Sequence, residues 1–162
     1  RLLCLTAIGT AALTASTFEQ EPRFVWNASP SVPVGFYSIA GGEFEIGSLV
    51  AVRLPPQITA QAHVRRYLDH HALLLKPVRA AKGSRVCRSG PIVSVDSRVV
   101  VLARSHDGAG RPLPVWRGCF TLAYGDLFLL SNVPESFDGR YFGVLPPDVV
   151  VGQAIPLWTW RP

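Results

Sequence analysis

The chain has 162 residues, 48% apolar and 17% charged, and this composition excludes a disordered or tail-like chain and suits one domain with a proper core. Fourteen prolines and fourteen glycines punctuate it, which favours many short strands over long helices. The net charge of +5 is spread singly, with Arg65-Arg66 the densest pair and no stripe of aromatic and basic residues, so no nucleic-acid partner is expected.

The first element is the uncharged run LLCLTAIGTAALTASTF, residues 2–18. As a helix it reaches about 25 Å, slightly short of a hydrocarbon core of about 30 Å. With no Met anywhere in the chain, a few upstream residues are expected to complete a span. A cleavable signal peptide is the alternative, since triplets such as Gly9-Thr10-Ala11 offer cleavage sites; the anchor helix is favoured. Arg1 before the run, and Glu19 and Glu21 after it, leave the N-terminus in the cytoplasm and the rest outside. The chain then divides into an anchor, 1–18, and an exported domain, 19–162.

Residues 19–33 read as an extended approach interrupted by prolines. GSLVAVRL, 47–54, predicts a strand with Val50, Val52 and Leu54 on one face. In PPQITAQAHVRRYLDHH, 55–71, the spacing changes to that of a short helix opened by prolines and capped around Thr59. ALLLKPVRA, 72–80, is an apolar strand carrying one lysine, and IVSVDSRVVVLAR, 92–104, predicts two strands joined at Asp96-Ser97. SHDGAGRPLP is a turn-rich loop, and DLFLLSNV and VVVGQAIPLW complete a β-rich body. The expected fold class is mainly β, an antiparallel domain with one short helix behind the anchor.

Several chemistries are excluded by pattern. There is no G-x-S-x-G elbow and no P-loop, and Gly108-Ala109-Gly110 runs into Arg-Pro where a nucleotide-binding helix would open. His63 and His70 would stand about 10 Å apart on a helix, too far to share a metal. Ser105-His106-Asp107 are adjacent and cannot fold onto one another as a relay. No C-x-x-C occurs, so neither a structural zinc nor a thioredoxin-like motif is expected, and the chain as a whole calls for no metal and no cofactor. In an exported body Cys87 and Cys119 are the one possible intramolecular pair, closing a loop worth roughly 3 to 4 kcal/mol; two separate buried thiols are the alternative.

Lys76 and the two serines of WNASPSVPVGFY, 26–37, remain. A lysine inside an apolar strand must be paired, snorkel to solvent or sit neutral with a lowered pKa. Neutrality near pH 7 requires a shift of about three units, roughly 4 kcal/mol of desolvation. Taken alone, snorkelling from an edge is the commoner outcome. A serine between prolines is ordinarily a turn residue, and its hydroxyl is a poor nucleophile until a base takes its proton. Together, a serine on a stiff segment and a lysine in an apolar strand are the two parts of a Ser–Lys dyad.

NASPSVPVGFY resembles the nucleophile box of the type I signal (leader) peptidases, and within them of the TraF-type conjugative-transfer peptidases. LLLKPVRAAKGSRV is similar to their lysine box, and GDLFLLSNVPESFDGRYFG, 125–143, to the downstream boxes ending in S-x-D-S-R-Y-x-G. VVVGQAIPLWTW and Gly118-Cys119 are also like the TraF-type branch. The resemblance implies Ser31 as nucleophile and Lys76 as neutral general base. It implies an oxyanion hole from the Ser29 hydroxyl and the Ser31 N–H, whose donors are worth roughly 3 to 4 kcal/mol each. Ser136 would orient the Lys76 amine, and Asp138 and Arg140 would form a supporting ion pair. Gly139 stands where the pattern often has Ser. Pro33, two residues after Ser31, has the TraF-type spacing, and a chain of this length has no room for the large second β domain of leader peptidases.

The implied protein is a membrane-anchored serine endopeptidase of the bacterial inner membrane, its catalytic domain in the periplasm. Its expected partner is a membrane-embedded precursor, by resemblance a pilin, which some members also cyclise. Val32, Val34 and Phe36 would line substrate pockets, touch lipid or simply pack in the core. The alternatives are a non-enzymatic periplasmic β scaffold of a secretion or conjugation apparatus, and a soluble self-cleaving Ser–Lys domain.

Overall fold

The computed structural model describes residues 21–69 and 72–161. The expected anchor at 1–18, with Cys4, lies outside them, as do His70 and His71. No helix among the described residues is long and apolar enough to cross a membrane.

Every strand pairing is antiparallel. The chain first lays down β1 (Phe24–Asn27), β2 (Val34–Ala40), β3 (Leu49–Val52) and β4 (Leu74–Ala80), with helix α1 (Pro56–Val64) between the last two. β5 (Arg85–Ser89), β6 (Ile92–Val95), β7 (Arg98–Leu102) and β8 (Gly118–Thr121) follow. Then come β9 (Phe128–Leu129), a one-turn helix α2 (Gly139–Phe142), a 3-10 turn at Pro147–Val149 and the long β10 (Val150–Trp160). A six-stranded sheet runs β1-β2-β10-β3-β4-β9, and a four-stranded sheet runs β7-β6-β5-β8.

Period-2 alternation explains the larger sheet. Val50 and Val52 of β3, with Leu54 just beyond, pack with Leu74, Val78 and Leu129 on one face. Ala51 and Leu75 turn to the other face and meet Val32, Tyr37 and Ala154. The β6–β7 hairpin turns at Asp96 (φ 49°) and Ser97 (φ 66°), both left-handed as a two-residue type I′ loop requires. Val86, Val93, Phe128, Phe137 and Tyr141 form a third apolar cluster joining the smaller sheet to α2.

Three local expectations change. The approach at 19–33 contains an edge strand, β1, because its residues ladder onto β2 from Phe24↔Ser38 to Asn27↔Gly35. Helix α1 starts at the prolines, with Pro55 at the cap position and no side-chain cap. Thr59 lies inside α1, its Oγ1 donating to the Leu54 carbonyl at 2.9 Å. A second helix, α2, forms where none was expected, because the Asp138 carboxylate caps the Arg140 N–H.

Gly139 has a steric reason. A Cβ there would lie 2.6 Å from the Leu129 carbonyl oxygen and 2.7 Å from the Phe128 ring, so the serine common at this place in the resembled pattern does not fit. Gly139→Ser is expected to lower stability by about 1 to 3 kcal/mol, the usual range for overpacking, read as a lower urea midpoint at unchanged slope.

Candidate active site

The loop between β1 and β2 is shaped by side chains. Asn27, buried at the end of β1, donates through Nδ2 to the carbonyls of Ser29 (2.8 Å), Val32 (3.3 Å) and Pro33 (2.9 Å). Its Oδ1 accepts the Ser29 N–H at 3.1 Å, and the Tyr37 hydroxyl donates to the Pro33 carbonyl at 2.5 Å. The prolines limit φ while Asn27 and Tyr37 fasten the carbonyls. Ser31 is thereby held with 9% of its surface exposed.

Lys76 enters from β4, where its partner across the ladder is Val50. It is only 2% exposed, so it does not snorkel; β4 is an interior strand between β3 and β9. Its Nζ donates to Ser31 Oγ across a sequence separation of 45 residues. Burial pushes the Lys76 amine down from 10.5 to about 8, with Asp138 opposing and Arg140 adding to the fall. Ser29 Oγ lies 2.9 Å from Ser31 Oγ, and the Ser31 N–H donates to Ser29 Oγ at 3.4 Å.

Asp138 and Arg140 are fully buried and paired, with Arg140 Nε donating to Asp138 Oδ1 at 2.8 Å. Arg140 also donates to the carbonyls of Ser131 (2.7 Å), Pro134 (2.9 Å) and Val133 (3.1 Å), so its guanidinium is the template on which residues 131–134 fold. Asp138 Oδ2 accepts the Ser131 N–H at 2.9 Å, and Ser131 Oγ donates to the Ser31 carbonyl at 2.6 Å. An unbroken path of hydrogen bonds therefore runs from the ion pair to the Ser31 backbone. Ser136 lines the same cavity as Ser31 and Lys76, yet its buried Oγ has no hydrogen-bond partner among the described residues. Lys76 Nζ is directed to Ser31 Oγ instead.

Two cavities meet at Ser31. One, of about 190 Å³, is walled by Leu54, Ala62, Tyr67, Leu68, Leu74 and Phe137. The other, of about 420 Å³, lies against Pro33, Ser131, Asn132 and Arg161. Val32 is core, Val34 is half-buried, and Phe36 is exposed. Phe36 belongs to an uncovered aromatic face on β1, β2 and β10, with ring centroids of Trp26–Phe36 at 4.7 Å, Trp26–Trp160 at 5.8 Å and Trp158–Trp160 at 5.1 Å. Cys87 and Cys119, directly opposite on β5 and β8, form a disulfide.

Sequence reasoning missed Asn27, Tyr37 and Ser131. Asn27 had a local signal, because an Asn two residues before Ser29 can close an Asx turn. Ser131 had none, since its contact with Ser31 spans 100 residues.

A family described as "Signal peptidase, peptidase S26" matches residues 1–160. A conjugal transfer protein TraF of Agrobacterium tumefaciens (strain 15955) is 34% identical, over 99% of this chain and 97% of its own. A plasmid transfer protein TraF of Escherichia coli is 32% identical, over 94% of this chain and 92% of its own. A solved signal peptidase I from Enterococcus faecalis V583 is similar with a TM-score of 0.40 and 14% identity, over 70% of this chain and 98% of that one.

Proposed function

The chain belongs to the signal peptidase family, peptidase S26, and is of the TraF-type conjugative-transfer branch; from that premise we propose that it is a membrane-associated serine endopeptidase that processes a pilin precursor through a Ser31–Lys76 dyad. The observation that carries this reading is the buried Lys76 amine on Ser31 Oγ, with its pKa lowered to about 8. A lysine of that pKa has an appreciable neutral fraction near neutral pH, as a general base needs.

With the amine neutral, the Ser31 O–H donates to the Nζ lone pair. Ser31 Oγ attacks the scissile carbonyl carbon as its proton passes to Lys76. The oxyanion is received by the Ser31 N–H and the Ser29 hydroxyl, donors that now meet each other at 3.4 Å and turn to the substrate oxygen. Collapse breaks the C–N bond, and the Lys76 ammonium returns its proton to the leaving amine. The resulting ester is released by water, or by an α-amine where the product is cyclised, with Lys76 again accepting the proton. The Ser136 hydroxyl, buried and without a partner among the described residues, orients the amine once Ser31 Oγ has moved to carbon, and the Asp138–Arg140 pair holds the surrounding loop.

The aromatic face supports placement against a bilayer. Three tryptophans with exposed rings suit the membrane–water interface, and β1, which carries Trp26, starts six residues after the uncharged run that ends at Phe18. We assign the domain to the periplasmic side of an inner membrane, anchored by residues 1–18. Pilin is chosen because the relatives are named for plasmid or conjugal transfer.

The test is co-expression with a conjugative pilin precursor, followed by intact mass measurement. A shortened product, or one lighter than it by one water if cyclised, supports the reading; a precursor left intact by the wild-type protein overturns it. The lowered lysine pKa also sets a pH profile. Protonated Lys76 cannot accept the serine proton, so kcat/KM should rise as pH increases and level off above about 8. A profile flat from pH 6 to pH 9, a range over which the neutral fraction of an amine titrating near 8 rises roughly a hundredfold, removes Lys76 as the base.

A further inference from the structure

We propose that Asp107, by holding the Tyr67 ring, determines which substrate side chains the apolar cavity beside Ser31 accepts; this rests on the reading above that the cavity receives substrate. The walls of that cavity come from β1 and β4, from Ala62 of α1, and from irregular segments that include Leu54, Val133 and Phe137. Tyr67 and Leu68 belong to the irregular segment after α1, where Arg66 has a left-handed φ of 58°. An irregular wall is where cavity dimensions can change without breaking a sheet.

The tether comes from the loop between β7 and β8, forty residues away. Asp107 Oδ2 accepts the Tyr67 hydroxyl at 2.6 Å, Arg111 Nε at 2.8 Å and Arg65 Nη1 at 3.2 Å. Its Oδ1 accepts the N–H groups of Ala109 and Arg111, each at 2.9 Å, so the carboxylate is itself fixed. Arg65 reaches on to the Pro112 carbonyl at 2.6 Å, Arg111 Nη2 returns to the Arg65 carbonyl at 3.3 Å, and the Arg111 guanidinium sits 5.8 Å over the Tyr67 ring. The Tyr67 hydroxyl first, then the Arg111 and Ala109 donors, hold the Asp107 carboxyl well below the usual carboxylate range against the opposing effect of burial. On its other side the Tyr67 ring packs 5.4 Å from Phe137, the neighbour of Ser136.

Tyr67 is thus pinned at its hydroxyl and packed at its face. With the ring held, a cavity of about 190 Å³ must also take up peptide backbone, and it suits a small aliphatic side chain over an aromatic one. Tyr67→Phe removes one oxygen and keeps the packing, while Asp107→Asn keeps the shape and weakens every bond to the arginines and the tyrosine.

The experiment uses Ser31→Ala protein, which cannot cleave, titrated by NMR with N-acetylated alanine-rich peptides that carry Ala, Val, Leu or Phe at one position. The ratio of Kd values between the Phe and Ala peptides should fall about tenfold when Tyr67→Phe or Asp107→Asn is added, the size of a modest change in apolar pocket selectivity. A purely structural role would lower thermal stability and leave that ratio unchanged, and an unchanged ratio in folded Tyr67→Phe protein overturns the inference. Failure of every peptide to bind overturns the substrate reading and this inference with it, whereas binding with an unchanged ratio overturns this inference alone. If Asp107→Asn does not fold, Tyr67→Phe decides.

Discussion

Ser31→Ala and Lys76→Ala are each expected to reduce precursor processing at least about 10³-fold, and the two together by little more than either alone, because members of one nucleophile–base unit do not contribute additively. Lys76→Arg should be as inactive, since a guanidinium does not become a neutral base. What separates a catalytic lysine from a structural one is the stability of Lys76→Met. The unfolded chain keeps its lysine proton to pH 10.5, while the folded protein releases it near 8. Between these values the unfolded state binds more protons, so wild-type stability rises with pH across that window. Below pH 8 the full penalty is present, about 3 kcal/mol for a shift of this size. Lys76→Met should therefore be inactive yet more stable at pH 7 by on the order of 2 to 3 kcal/mol, a gain that shrinks as pH approaches 10.5. Urea denaturation at three pH values measures it, and a loss of stability at pH 7 would show that Lys76 is held for structure.

Asp138→Ala is expected to destabilise by about 3 to 5 kcal/mol, a large part of the 5 to 15 kcal/mol of a typical domain. Removing the carboxylate leaves the Arg140 guanidinium buried without its counter-charge and takes the acceptor from the Ser131 N–H. Arg140→Met should cost a similar amount, stranding the buried carboxylate and freeing three carbonyls in the 131–134 loop. The double variant should lose clearly less than the sum, because neither charge is then left alone. The same change reaches the site. Asp138 raises the Lys76 pKa, so in a folded Asp138→Asn protein the pH–rate limb should move to lower pH while kcat falls as the Ser31 loop loosens. Additive losses, with a limb that does not move, would mean that the pair is remote from the chemistry.

The relation of sequence to structure is clearest at Lys76. Its strand was readable from the apolar run at 72–80 and from the alternation in 47–54 that pairs with it, but local pattern alone favoured a snorkelling side chain. Burial followed from strand order: β4 lies between β3 and β9, and β9 is two residues long and 50 residues further on, so no local window contained it. The helix-opening prolines were readable while the start position was displaced, because Pro55 needs no side-chain cap and Thr59 bonds backwards to Leu54. β1 was hidden because a four-residue edge strand earns its pairing from β2 and not from its own alternation.

By itself the sequence determined whatever depends on neighbours along the chain: the β-rich class, the Asp96-Ser97 hairpin, the faces of β3, and a serine–lysine pair worth testing. The tertiary structure alone decided that the Lys76 amine meets Ser31, that Ser131 carries hydrogen bonds from the Asp138–Arg140 pair to the Ser31 carbonyl, and that Asp107 holds Tyr67 beside the cavity. The physical reason is that side-chain type and spacing are local properties, whereas burial, pKa and hydrogen-bond partners are set by groups 40 to 100 residues away that only the folded sheets bring within reach.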